Sequence, residues 1–115
     1  MKTMTRATRA YETASVRRSQ RAQEADIFHR ATGALRTARD ASPIARVRAL
    51  ADNRRLWTTV GDLMRDPAST LPAPLRAQII SVGMAVQREM DSEEPNFDYL
   101  ISINEHFAAG LSDTH

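Results

Sequence analysis

At 115 residues, with 42% hydrophobic and 26% charged content, the chain is long enough for one core and too apolar for full disorder. Without cysteine it forms no disulfide, thiolate metal site or cysteine nucleophile. Its net charge of +2 conceals a dipole: residues 1–55 carry 13 Lys/Arg against 5 Asp/Glu, a net of +8, and residues 56–115 carry 3 against 9, a net of −6.

Residues 1–18 show no sustained apolar stripe and contain Lys2, Arg6, Arg9, Arg17 and Arg18. They read as a basic N-terminal arm, with Tyr11 as its anchor. The stretch up to Glu12 is rich in Arg and Ser/Thr and poor in acids, a character shared with mitochondrial presequences; it lacks the apolar core of a secretory signal. No apolar run approaches the roughly 18 residues of a membrane span.

The rest of the chain, with frequent Ala and Arg and few β-branched runs, favours helix. A first helix is predicted over 19–40, its narrow apolar face built from Ile27, Phe28, Ala31, Ala34, Leu35 and Ala38. "ASPI" supplies Ser42 as N-cap and Pro43 at the first helical position, so a second helix starts there and runs to about Arg65. Three prolines in "DPASTLPAP", residues 66–74, forbid its continuation. A third helix follows over about 73–91, "SEEPN" breaks the chain, and a fourth spans about 96–109 with Gly110 placed to end it. The expected fold is all-α: a small antiparallel bundle of about four helices over 19–111, with the arm before it and a tail over 112–115. In such a bundle the charge dipole either draws the two halves together or leaves the basic half for an acidic partner.

The second helix carries a wide apolar arc of Ala49, Leu50, Leu56, Trp57, Val60 and Met64, with Asn53 near its centre. The fourth presents Phe97, Leu100, Ile101, Phe107, Ala108 and Leu111 around Asn104. An amide on an apolar face needs a hydrogen-bond partner or costs about 1–3 kcal/mol. Two resolutions are open: the amides satisfy each other or the backbone inside the bundle, or one of them meets the backbone of a bound segment. Trp57, likewise, is a core residue or an interface anchor. The third helix has one stripe for a core (Leu75, Ile79, Val82, Gly83, Val86 and Met90) and a second on its far side (Ala73, Ala77, Ile80 and Met84). A second stripe means a helix enclosed by neighbours or one side of a groove for a partner helix.

Other chemistries find little support. His29, His106 and His115 are scattered without metal-ligand spacing, Glu93–Glu94 is a loop pair, and no phosphate-cradling glycine loop or nucleophile elbow occurs. The chain is therefore read as a non-enzyme with no cofactor and no metal. The proline-rich loop is too long for a helix-turn-helix turn, and Arg46, Arg48, Arg54 and Arg55 scatter around their helix. RNA binding through Arg17, Arg18 and Arg21 stands as the alternative, and a bundle subunit that oligomerises through the surplus stripe as a third reading.

The block "ADNRRLWTTVGDLMRDPASTLPAPLRAQIISVGMAVQREM" closely resembles the centre of the FlaF family of flagellar biosynthesis regulators of alphaproteobacteria: Asn-Arg-Arg-Leu-Trp, an Asp-Pro turn, Leu-Pro, then Leu-Arg-Ala-x-Ile-Ile-Ser. "LISINEHFAAGL" is similar to the family's ending, and "AYETAS" and "EADIFHRATGAL" match more loosely. The chain departs from the family at Ser15–Val16, where Ser-Pro is common, and in its longer basic arm. The resemblance implies a cytoplasmic flagellar assembly factor that binds flagellin, supports its synthesis or export, and acts beside the translational regulator FlbT. It also implies a role like that of the flagellin export chaperone FliS, and hence a part in motility. The expected partner surface is Leu56, Trp57, Val60, Ile80 and Met84 over a flagellin segment's apolar face, with Asn53 or Asn104 meeting its backbone.

Overall fold

The computed structural model of the chain describes residue 23 and residues 25–113, with side chains described as far as residue 110. The arm expected over 1–18, with Arg17 and Arg18, lies outside the described residues, as does Arg21. Four helices are present, and no strand among the described residues: α1 over 25–38, α2 Pro43–Arg65, α3 Ala73–Met90 and α4 Phe97–Asp113.

The local chemistry explains the boundaries. Ser42 caps α2, its Oγ accepting the Ala45 N–H at 3.2 Å, and Pro43 occupies the first turn, where its missing N–H costs nothing. After Arg65 the Asp66 carboxylate accepts the Ala68 N–H and begins the turn that Pro67 enforces. Arg76 Nε donates to the Leu71 carbonyl and ties this loop back to α3. Asn96 caps α4 through Oδ1, which accepts the Tyr99 N–H at 3.0 Å. Gly110 does not end α4: the helix continues through it to Asp113, and no described glycine has positive φ. Among Ala108, Ala109 and Leu111, all good helix formers, the glycine's penalty of about 1 kcal/mol is outweighed by continuing the helix.

Contacts fix an up-down-up-down order. Arg36 pairs with Glu105 and Arg39 with Asp98, so α1 and α4 run in opposite senses. Arg46 stacks on Phe97 at 4.4 Å while Trp57 meets Phe107 at 4.9 Å, so α2 and α4 run the same way. Gln87 Nε2 reaches the Arg54 carbonyl and Gly83 faces Trp57, making α3 antiparallel to α2. The core is mainly aliphatic, with Leu35, Val86 and Leu100 fully buried, and an aromatic triad of Phe28, Trp57 and Phe107 at the α1–α2–α4 junction. The hydrogen bond and charge of Asp98, aided by Asp40, raise the Arg39 guanidinium above its ordinary value.

At the centre lies a polar relay. Trp57 Nε1–H donates to Asn104 Oδ1 at 2.9 Å, Asn104 Nδ2 donates to Asn53 Oδ1 at 2.7 Å, and Asn53 Nδ2 points at Met90 Sδ at 3.3 Å. Both asparagines are fully buried, and no buried side-chain N or O among the described residues lacks a partner. Removing either amide strands the other in an apolar setting. Asn53→Ala and Asn104→Ala are each expected to cost about 1–3 kcal/mol in urea unfolding. The double variant is expected to fall short of their sum by about 1 kcal/mol. Strict additivity would show that the two amides act separately.

Candidate partner-binding groove

α2 and α3 diverge enough to leave a groove of about 440 Å³ between them. Its floor is Trp57, Val60 and two glycines, Gly61 and Gly83; its α3 wall is Ile79, Ile80 and Met84. The glycines shape it. A methyl group at Gly83 would meet Trp57 Cε3 at 3.5 Å, ordinary contact, so α3 lies close against the indole without a side chain between them. At Gly61 a methyl would come within 2.7 Å of Arg65 Nη1, so the absent side chain leaves the seat for that guanidinium.

The apolar surface here is uncovered. Met84 is 53% exposed, Ile80 is half-buried, and α3 fully buries only Val86 and Met90. The second stripe expected on α3 is thus not enclosed: Ala73, Ala77 and Met84 are exposed. Arg65 and Arg88 stand on the rim, both exposed, and neither makes an ion pair or side-chain hydrogen bond among the described residues.

Of the residues expected to form the partner surface, the structure gathers Trp57, Val60, Ile80 and Met84 around this groove. Leu56 turns the other way, into a second depression of about 460 Å³ between α1 and α2, where it meets Phe28 and the exposed Ile27 and Leu63. Asn53 and Asn104 line neither depression; both amides point inward and are engaged in the relay. Sequence reasoning passed over Gly61, Arg65, Gln87 and Arg88. A glycine inside a helix, as at position 61, was the available signal, because it costs stability unless something occupies the space it leaves.

No metal-binding cluster of His, Cys, Asp and Glu occurs among the described residues, and no described helix is long and apolar enough to cross a membrane. Because a methyl fits beside Trp57, Gly83→Ala is expected to keep or raise stability, by up to about 1 kcal/mol from helix propensity. Thermal melting checks this; a clear loss would mean that α3 approaches the indole more closely than 3.5 Å permits.

Comparison with known proteins gives one assignment. Neither curated proteins nor solved structures return a match. The family described as flagellar protein FlaF matches residues 7–111, nearly the whole chain, covering α1 to α3 and all but the last two residues of α4. The resemblance read from the Asn53–Trp57 block is therefore membership, and the chain belongs to the FlaF family of flagellar proteins.

Proposed function

We propose that this flagellar protein is a cytoplasmic, flagellin-specific chaperone that holds an amphipathic flagellin segment in the α2–α3 groove and so promotes flagellin synthesis and export. One observation carries the reading. The exposed Met84 and the half-buried Ile80 leave an apolar edge beside the Trp57–Val60 floor, which gives the groove a place for an apolar stripe to dock.

The physical logic is that of a helix laid in a groove. A segment destined to polymerise exposes an apolar stripe before assembly, and covering that stripe prevents premature association. Methionine suits the wall because its unbranched side chain adapts to the partner's contours. Trp57 supplies a rigid floor, held in place by its bond to Asn104.

Calorimetric titration with monomeric flagellin tests the reading. The wild-type chain is expected to bind at micromolar or tighter affinity with little loss at high salt. Ile80→Asp with Met84→Asp is expected to weaken binding by about tenfold or more, since burying a carboxylate against apolar surface is costly. Both positions are partly or largely exposed, so the variant keeps its fold, which circular dichroism checks. Intact binding by the folded variant would move the site elsewhere. No flagellin binding, with salt-sensitive capture of flagellin leader RNA, would assign the function to the basic half.

A further inference from the structure

Resting on that reading, we infer that the groove selects a helix whose apolar stripe is bracketed by two acidic side chains about two turns apart, with Arg65 and Arg88 as the residues that recognise them. The inference comes from the charges left over after folding. Arg36, Arg39 and Arg54 are paired with Glu105, Asp98 and Asp91. Among the described residues Arg30, Arg48, Arg55, Arg65, Arg76 and Arg88 form no ion pair, and of these Arg65 and Arg88 border the α2–α3 depression, whose α3 wall is apolar and open. Asp62 is the acid among the lining residues, so the rim remains net positive.

Their placement sets the spacing. The Arg65 guanidinium folds back over Gly61, into the space that glycine leaves. Arg88 follows Gln87, whose amide reaches the Arg54 carbonyl, so it stands at the level of Arg54. Seven residues of α2 separate those levels, roughly 10 Å at 1.5 Å per residue. A partner helix lying along the groove meets both arginines with acids at positions i and i+7. Its residues at i+3 and i+4 then fall on Trp57, Ile80 and Met84. Positions i, i+3, i+4 and i+7 share one helix face, so a single amphipathic helix satisfies the whole groove. Arginine suits the task because its planar fork binds a carboxylate through two hydrogen bonds.

The test compares flagellin affinity at about 0.1 M and about 1 M salt, where the screening length falls from about 10 Å to about 3 Å. The variants are Arg65→Glu/Arg88→Glu, Arg65→Lys/Arg88→Lys and Met84→Asp. The double reversal is expected to weaken binding about tenfold at the lower salt and less than about twofold at the higher. The lysine variant, which keeps the charge but loses the two-bond fork, is expected to weaken binding by about threefold, between wild type and the double reversal, and Met84→Asp to weaken binding at both salts. If Met84→Asp weakens binding while the double reversal leaves it unchanged, the groove stands and the acidic bracket is wrong. An equal loss at both salts in the double reversal would also overturn the bracket, by showing that the arginines act through packing. Absence of any wild-type binding to flagellin overturns the chaperone reading and this inference with it.

Discussion

The indole N–H of Trp57 is the constraint from which the rest of the bundle follows. Indole nitrogen donates and never accepts, so Asn104 must turn its oxygen toward α2. That choice leaves Asn104 with only its NH₂ to offer Asn53, and Asn53 with only its NH₂ to offer Met90. One donor thus orders two amides across three helices. A shift of α4 by one residue along α2 would rotate Asn104 out of reach and strand polar groups in the core. Each stranded group costs about 1–3 kcal/mol, a large share of a small domain's stability. Aliphatic packing around Leu35, Val86 and Leu100 supplies the driving force for collapse, but it discriminates poorly between registers. The relay supplies the register.

The charge asymmetry has a related role. Among the described residues, the three inter-helix ion pairs each join an arginine from the basic half of the chain to an acid from the acidic half: Arg36 with Glu105, Arg39 with Asp98 and Arg54 with Asp91. Exposed pairs of this kind contribute little stability each. Their value lies in sign: α1 and α2 present arginines where α4 and the end of α3 present carboxylates, which disfavours like-with-like pairings. Arg46 adds a different contact, stacking on Phe97 while it donates to the Arg39 carbonyl at the end of α1. The fold thus uses three arginines of the basic half, with three carboxylates of the acidic half, in joining its helices.

Much of this was legible in the residues. Ser42–Pro43 and the 66–74 prolines mark helix ends because capping and the missing proline N–H act locally, independent of tertiary context. Two asparagines on apolar faces announced a hydrogen-bonding problem, and one of the two solutions read from sequence, mutual satisfaction, is the one adopted. What periodicity does not reveal is how a wide apolar arc divides among neighbours. The arc of α2 serves α1, α3 and α4 together, and 100° separates Leu56, which lines the α1–α2 depression, from Trp57, which packs against Gly83 of α3 and bonds Asn104 of α4 besides meeting Phe28 of α1. Both belong to one stripe in the sequence and to different depressions in the structure. Gly110 misled for a similar reason: a glycine permits a helix end without requiring one.

The position of α3 explains why surplus apolar surface collects there. Its fully buried residues, Val86 and Met90, sit in its C-terminal half, where Gln87 and Arg54 also join it to α2. Toward its N-terminus the same helix carries Leu75, Ile79 and Ile80, none of them fully buried, and its start lacks a side-chain cap; the exposed Met84 lies one turn further on. The C-terminal half of α3 is thus anchored by fully buried residues, and the N-terminal half by the partly buried Ile79 and the Arg76 tie to the loop. A helix laid across that N-terminal half would bury what the domain leaves open, adding apolar contact where there is least. Because α3 is already formed, little of the binding energy would be lost to ordering it on contact. The glycines at 61 and 83 keep the groove's floor low, at a small cost in helix propensity.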